Sequence, residues 1–218
     1  MSDQSRYIKP VPLKIAPVLL EGKRVRLVPM TPEHVDALWE AAKFPEIWSH
    51  TGTLPMNSVD DVRCYVGVAL AERDAGTALP FVTTDPVTSE VIGSTRFANI
   101  SLSDHRVEIG WTWLRPDRQR TGANGEAKSL MLRQAFDVWG ALRVEIKTDV
   151  RNTRSRAAIE RAGGMFEGIF RQHMVVREGR VRDTVYYSIT DLDWRNPNHR
   201  AYQNAESYGI TPNPEPIV

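Results

Sequence analysis

The chain of 218 residues contains one cysteine, Cys64. A single thiol cannot build an intramolecular disulfide framework or a multi-thiolate zinc site. No apolar run approaches the ~18 residues of a membrane span. An excess of charge is also missing: 28 basic against 27 acidic side chains leave a formal net charge of +1. That balance argues against a general nucleic-acid binder, which carries a basic surplus. The five histidines show no H-x-x-x-H or similar spacing, so no metal is expected. The first 22 residues lack the long apolar centre of a signal peptide and are broken by Pro10, Pro12 and Pro17. Nothing repeats internally. These absences describe a soluble, cytoplasmic protein with neither membrane nor nucleic acid as partner.

What is present is ordinary globular material, with 41% apolar and 25% charged residues. The length suits one large domain, or one domain with extensions, and allows a core that needs no staples. Three stretches are expected: an N-terminal arm at 1–22, a domain at 23–190 and a polar, Pro-containing tail at 191–218. Strands are read at 23–30, 80–84, 91–100, 106–114, 143–150, 167–171 and 181–190. Helices are read near 31–42, 58–76, 124–139 and 152–162, the first opened by Thr31 and Pro32. The alternation of Arg106–Leu114 is the cleanest in the chain: Val107, Ile109, Trp111 and Trp113 are expected on one face, and Glu108, Gly110 and Thr112 on the other. Helices interrupting a largely antiparallel sheet make an α+β (mixed α/β) domain.

The segment Arg115–Lys128, RPDRQRTGANGEAK, carries the chemistry. A strand runs into a loop with Gly122 and Gly125, and an amphipathic helix follows. Such a loop can aim several N–H groups at one anion, and the helix start adds about half a positive charge. Arg118 and Arg120 stand beside it as mobile cations. The P-loop spacing is absent, because no Lys-Ser/Thr follows Gly125, and so is the G-x-G-x-x-G of dinucleotide folds. Two readings stand on residue types alone: a pyrophosphate cradle, or a β-to-α connection whose glycines serve geometry.

The run Gln119-Arg120-Thr121-Gly122-Ala123-Asn124 resembles the Q/R-x-x-G-x-G/A cofactor loop of the GCN5-related N-acetyltransferases (GNAT), with Asn124 at the last small position and Gly125 next. RVEIGWTWL resembles that family's fourth strand, and TDVRNTRSRAAIERAGGMFEG its fifth strand, Asn-bearing helix and next strand. LEGKRVRLVPMTPEHVDALW resembles its first strand and helix. The similarity spans roughly residues 20–190 and is greatest to the RimJ/RimL-type branch. It implies a three-layer fold around a mostly antiparallel twisted sheet of six to seven strands, flanked by helices, with a splayed strand pair holding acetyl-CoA.

By this resemblance Gln119, Arg120, Thr121, Gly122, Ala123, Asn124 and Gly125 hold the pyrophosphate. Trp113 and Leu114 offer backbone groups to the pantetheine arm. Asn152, in N-x-x-S, bonds that arm, caps its helix, or does both. Ser155 is the candidate donor to the departing thiolate. Glu108 is the candidate base, with Asp183 and His173 as rivals. A solvated or salt-bridged strand carboxylate is the competing reading of Glu108. The acceptor groove is expected to involve Trp48, His50, His173 and Asp183, although the loop at 44–57 serves equally well as core cover.

The expected activity is transfer of an acetyl group from acetyl-CoA to a primary amine, on a protein N-terminus or a small molecule, by direct attack through a tetrahedral intermediate. A non-catalytic CoA-binding sensor on the same fold is the alternative. A nucleotide-phosphate binder is a third reading, disfavoured by the missing Lys-Ser/Thr. Family habit also suggests a homodimer.

Overall fold

A computed structural model of the chain describes residues 13–49 and 55–215. Of the candidate site residues, His50 alone lies outside that range. One sheet of eight strands organises the fold, in the order β1-β2-β3-β4-β5-β6-β8-β7. The strands are β1 Leu20–Glu21, β2 Arg26–Pro29, β3 Leu79–Thr84, β4 Val91–Ser101, β5 Arg106–Leu114, β6 Arg143–Asp149, β7 Met165–Val175 and β8 Val181–Thr190. The strand beyond the expected count is β1, a two-residue piece of the arm that pairs with β2. All neighbours are antiparallel except β5 and β6, which are parallel.

Helices α1 (Val35–Ala42) and α2 (Val59–Asp74) cover one face. Local chemistry starts both. His34 Nδ1 accepts from the Thr31 N–H at 3.1 Å ahead of α1, and Ser58 Oγ accepts from the Asp61 N–H at 3.2 Å at the start of α2. Leu38, Val62, Val66 and Val82 belong to the core on this side. The opposite face carries α3 (Ala123–Arg133), α5 (Asp191–Arg195) and α6 (Arg200–Ser207), while α4 (Thr153–Arg161) follows β6. After Arg133 the backbone widens by one residue per turn, and the Trp139 N–H reaches the Gln134 carbonyl at 3.0 Å. The stretch read as a tail is largely helical and packed: Trp194, Ala201 and Ala205 are fully buried. In the arm, Leu13 and Leu20 join the same core.

The alternation expected along β5 breaks. Ser94 pairs with Trp113 but Arg96 pairs with Gly110, so β5 has one residue more than β4 between these points. Trp111 takes up the difference at φ 50°. Beyond it the faces exchange. Val107 and Ile109 lie in the α3-side core, whereas Trp113 lies in the α1/α2-side core and Leu114 returns to the first. Trp111 therefore belongs to neither core and keeps 37% exposure. An alternating sequence cannot announce an inserted residue, because a bulge changes phase without changing composition.

Glu126 fastens α3 to the β1–β2 turn. Its carboxylate accepts three backbone N–H bonds, from Lys23 at 3.0 Å, Arg24 at 2.6 Å and Val25 at 3.0 Å, and only 1% of the residue is exposed. A neutral amide has one acceptor oxygen and turns two donors against the same N–H groups. Glu126→Gln should lower unfolding free energy by about 3 kcal/mol, read by urea denaturation. Wild-type stability in that variant would show that the turn is held by other contacts.

Candidate active site

Parallel pairing of β5 and β6 runs from Arg106–Arg143 to Glu108–Glu145 and stops, although β5 continues to Leu114 and β6 to Asp149. Past Glu108 the two strands part. β6 stays paired with β8 along its whole length, so β5 is the strand that leaves. The loop after β5 and the start of α3 stand at this opening.

Carboxylates and arginines pin the loop. Arg115 pairs with Glu90 and, at 2.7 Å, with Asp117. Arg118 lies 3.0 Å from Asp85 and 3.5 Å from Glu90. Hydrogen bonds from Arg115 hold the carboxyls of Glu90 and Asp117 below the usual range, and the Thr88 and Val87 N–H groups do the same for Asp85. Arg118 thus anchors the loop to the β3–β4 turn, which corrects its reading as a mobile cation.

The next residues build the concavity. Gln119 Nε2 donates to the Leu114 carbonyl at 2.9 Å, and its Oε1 accepts from Arg154 on α4. One amide therefore ties the end of β5 to the far lip of the opening. Arg120 is exposed at φ 62°, and Gly122 caps α3 at φ 90°. Thr121 Oγ1 bonds the Arg118 carbonyl at 2.8 Å, while its own carbonyl accepts from Arg24 at 3.1 Å. Arg24 is a loop cation that sequence reading missed, since it comes from 97 positions upstream. Its only signal is the basic Lys23-Arg24 pair. A Cβ on Gly122 would lie 3.3 Å from the Arg24 side chain, in a backbone region L-residues avoid.

The second glycine has another purpose. A Cβ at Gly125 would stand 2.1 Å from the Tyr208 hydroxyl, so Gly125 makes room for the C-terminal segment. Asn124 Oδ1 accepts from Lys128 Nζ at 3.2 Å. Ala123 is buried at the first helical position. The expected loop residues Gln119–Gly125 are thus brought together beside Trp113 and Leu114. Asn152 and Ser155 join them from α4, where Asn152 Oδ1 caps the helix by accepting from the Ser155 N–H at 3.0 Å. The capping reading of Asn152 holds.

Glu108 lies just before the parting. Only 2% of it is exposed. Asn99 Nδ2 donates to its Oε2 at 2.6 Å, and Lys147 Nζ lies 2.9 Å from the same oxygen. The other oxygen, Oε1, rests over Gly110, where a Cβ would come within 3.0 Å. Glu108 is therefore a salt-bridged strand carboxylate with one oxygen toward the bulge.

The remaining candidates are dispersed. Trp48 is 2% exposed, its indole N–H donates to the Ala42 carbonyl at 2.9 Å, and its ring stands 5.3 Å from that of Trp113. It packs in the core beneath β5. Asp183 Oδ1 accepts from the Gln172 N–H at 2.6 Å. That bond closes a bulge of β7, in which Phe170 pairs with Thr184 but Met174 pairs with Arg182. His173 sits in this bulge, 5.2 Å from the Phe170 ring and 5.6 Å from Tyr186. Phe170, Arg171, Gln172 and His173 line an open concavity. Among the described residues, no group of His, Cys, Asp and Glu is placed to hold a metal ion, and no helix is long and apolar enough to cross a membrane.

A mixed α+β sheet with one parted parallel pair beside a glycine-capped helix is the frame of an acyl-group transferase. The chain belongs to the GNAT acetyltransferase family, whose domain model matches residues 24–165. It is similar to the uncharacterized N-acetyltransferase YoaA of Bacillus subtilis (strain 168), 26% identical over 173 residues that cover 78% of this chain and 96% of the relative. A crystal structure of a GCN5-related N-acetyltransferase from Brucella melitensis superposes with a TM-score of 0.80 at 30% identity, covering 91% of this chain and 87% of that one. Mycobacterium smegmatis RimJ, solved in complex with CoA-disulfide, shares the fold with a TM-score of 0.74 at 21% identity, covering 88% and 95%.

Lys128 generates a test of this region. Burial pushes its ammonium down to about 8. The folded value lies below the unfolded one, so the unfolded chain binds the extra proton between the two. Stability should rise as pH climbs from about 8 towards 10.5. Lys128→Met should abolish that rise and be the more stable protein at pH 7, by on the order of 3 kcal/mol. Parallel stability profiles for the two proteins across this range would show that the ammonium is solvated.

Proposed function

We propose that this chain transfers the acetyl group of acetyl-CoA to a primary amine, with Glu108 as the base and Ser155 as the group that faces the departing thiolate. The observation that carries the reading is the parting of β5 and β6 at Glu108, directly ahead of a loop suited to a pyrophosphate. The residues fit such a cosubstrate in three respects. Gly122 at positive φ offers no side-chain cap; the Ala123 N–H meets Thr121 Oγ1 at 3.4 Å, and the N–H groups that follow in the first turn of α3 suit an external acceptor. Exposed Arg24, Arg120 and Arg154 add positive charge from three separate segments. The strand edge at Trp113 and Leu114 offers backbone groups where β6 no longer pairs with it.

Acetyl-CoA supplies an activated thioester, so no residue has to form a covalent bond to the acetyl group. This chain's task is to orient the two reactants and manage protons. Glu108 takes a proton from the amine, directly or through a water, at the oxygen that faces Gly110. Lys147 and Asn99 fix the carboxylate by its other oxygen. Asn152 holds the first turn of α4 in place and positions Ser155, whose hydroxyl serves the thiol sulphur. The homodimer expected from the family belongs to the same proposal. Edge strand β7 supports it, because Phe166, Ile169, Phe170 and Val175 are all exposed along it. A monomer in sedimentation equilibrium would remove that part.

Calorimetric titration with acetyl-CoA, using ATP as control ligand, is the direct test. Saturable binding of acetyl-CoA without a response to ATP is expected. Gly122→Glu should weaken that binding by about tenfold or more, because it sets a carboxylate against the phosphates; retained affinity would refute the cradle. Glu108→Gln should reduce turnover by roughly a hundredfold and leave acetyl-CoA binding within a factor of about two. An unchanged rate across pH would take Glu108 out of the mechanism.

A further inference from the structure

Where the sheet face that carries Glu108 runs toward the end of β6, three cations, Lys147, Arg180 and Arg182, meet two carboxylates, Glu108 and Asp149. On β6 this face presents Lys147 and Asp149, and on β8 Tyr186, Thr184 and Arg182, because Lys147 pairs with Tyr186 and Asp149 with Thr184. Both carboxylates are already taken. Glu108 belongs to Lys147, and Asp149 is engaged by Arg180 and by the Arg151 N–H at 2.9 Å. Burial acts to raise the Asp149 carboxyl, but those two partners overcome it and hold it below its ordinary value. Arg182 remains. It is only 8% exposed, and among the described residues its Nε has no hydrogen-bond partner. Burial pushes its guanidinium below the ordinary value, while Asp149 and Glu108 act in the opposite sense.

Two further buried atoms have no hydrogen-bond partner among the described residues. Thr184 Oγ1 is one strand step away on the same face, and His173 Nδ1 comes from the bulge of β7 opposite Arg182. Phe170 and His173 both pack on Tyr186, at 4.4 and 5.6 Å between centroids, so the concavity they line opens on this face. Buried polar atoms almost always find hydrogen-bond partners, and one left without is costly. Three such atoms on the facing strands β7 and β8, with His173 itself on the lining of the concavity, point to a ligand that draws them together. A guanidinium fork matches a carboxylate in shape and charge.

We propose that the acceptor is a free amino acid, and that Arg182 receives its carboxylate while Thr184 and His173 complete the anion site. The inference rests on the acetyl-transfer reading above. It assigns a specificity role to Arg182 on β8. With the carboxylate on Arg182, the amine is directed back along the face toward Glu108. The nitrogen forms a bond to the acetyl carbonyl carbon and the C–S bond breaks. The ammonium loses two of its three protons, one passing through Glu108 to solvent and one to the sulphur, and the products are an N-acetyl amino acid, the free thiol and a proton.

The test measures thiol release with each proteinogenic amino acid beside its own carboxamide, a pair that differs only in the anion. Wild-type protein should turn over at least one amino acid with a kcat/KM roughly tenfold or more above that of its amide. In Arg182→Gln that preference should disappear, with the KM for acetyl-CoA unchanged within about twofold. Arg182→Gln should also melt within a few degrees of wild type, since the burial that opposes the guanidinium offsets its attraction to Asp149 and Glu108. Equal use of acid and amide, or turnover of no amino acid by protein that binds acetyl-CoA, would overturn the proposal. So would a carboxylate preference that survives in Arg182→Gln. Failure of the wild type to bind acetyl-CoA would instead overturn the acetyl-transfer reading, and this inference with it.

Discussion

Parallel pairing between β5 and β6 ends at Glu108, and the rest of the molecule is arranged around that end. A sheet normally continues its ladder because unpaired N–H and C=O groups are costly inside a protein. Here the cost is accepted along the last residues of β5. The bulge at Trp111 turns the strand, and β4 follows it through Gly93 and Ser94, so β5 is led away from β6 with its other edge still paired. β6 keeps its own partner in β8. Each strand is therefore held from outside, and the opening between them needs no internal support. Across its mouth a single amide, Gln119, links the end of β5 to Arg154 on α4.

The two faces of the sheet divide the work. On one, α3, α5 and α6 close over a large apolar core, and Glu126 locks the start of α3 to the β1–β2 turn. That lock carries Arg24 to the loop, so a structural carboxylate sets the position of a surface cation. On the other face, α1 and α2 cover the first strands, and the polar residues of β5, β6 and β8 lie beyond them. Lys147 with Glu108, and Arg180 with Asp149, neutralise each other there. Ion pairs at low exposure are poor sources of stability but good sources of fixed geometry, which is what a proton acceptor requires.

Much of the architecture was legible in the residues. Thr31, Pro32 and Ser58 marked helix starts because capping is a local interaction. Period-two patterns marked the strands, and the Gly122 loop was visible because only a glycine-bearing turn joins a strand to a helix start in this way. The shift of phase in β5 was not legible, since Trp111, Thr112 and Trp113 fit either face by residue type. Trp48 was read as groove material because an aromatic loop residue looks alike whether it lines a pocket or seals a core. The helical character of 191–207 was hidden by its polar composition: α6 buries only Ala201 and Ala205, two small residues one turn apart. Gly125 was read for a phosphate, whereas its missing side chain accommodates Tyr208 from 83 positions downstream.

The sequence by itself determined the family, the order of elements, the anion-suited loop and the candidate carboxylate on β5, because these rest on short-range patterns of shape and charge. Tertiary structure alone decided which charges are paired. Glu108 meets Lys147 and Asn99, Asp149 meets Arg180, and Arg182 finds no acceptor for its Nε among the described residues. Electrostatic partnership depends on distance and burial, and strands far apart in the chain acquire both only when the sheet assembles.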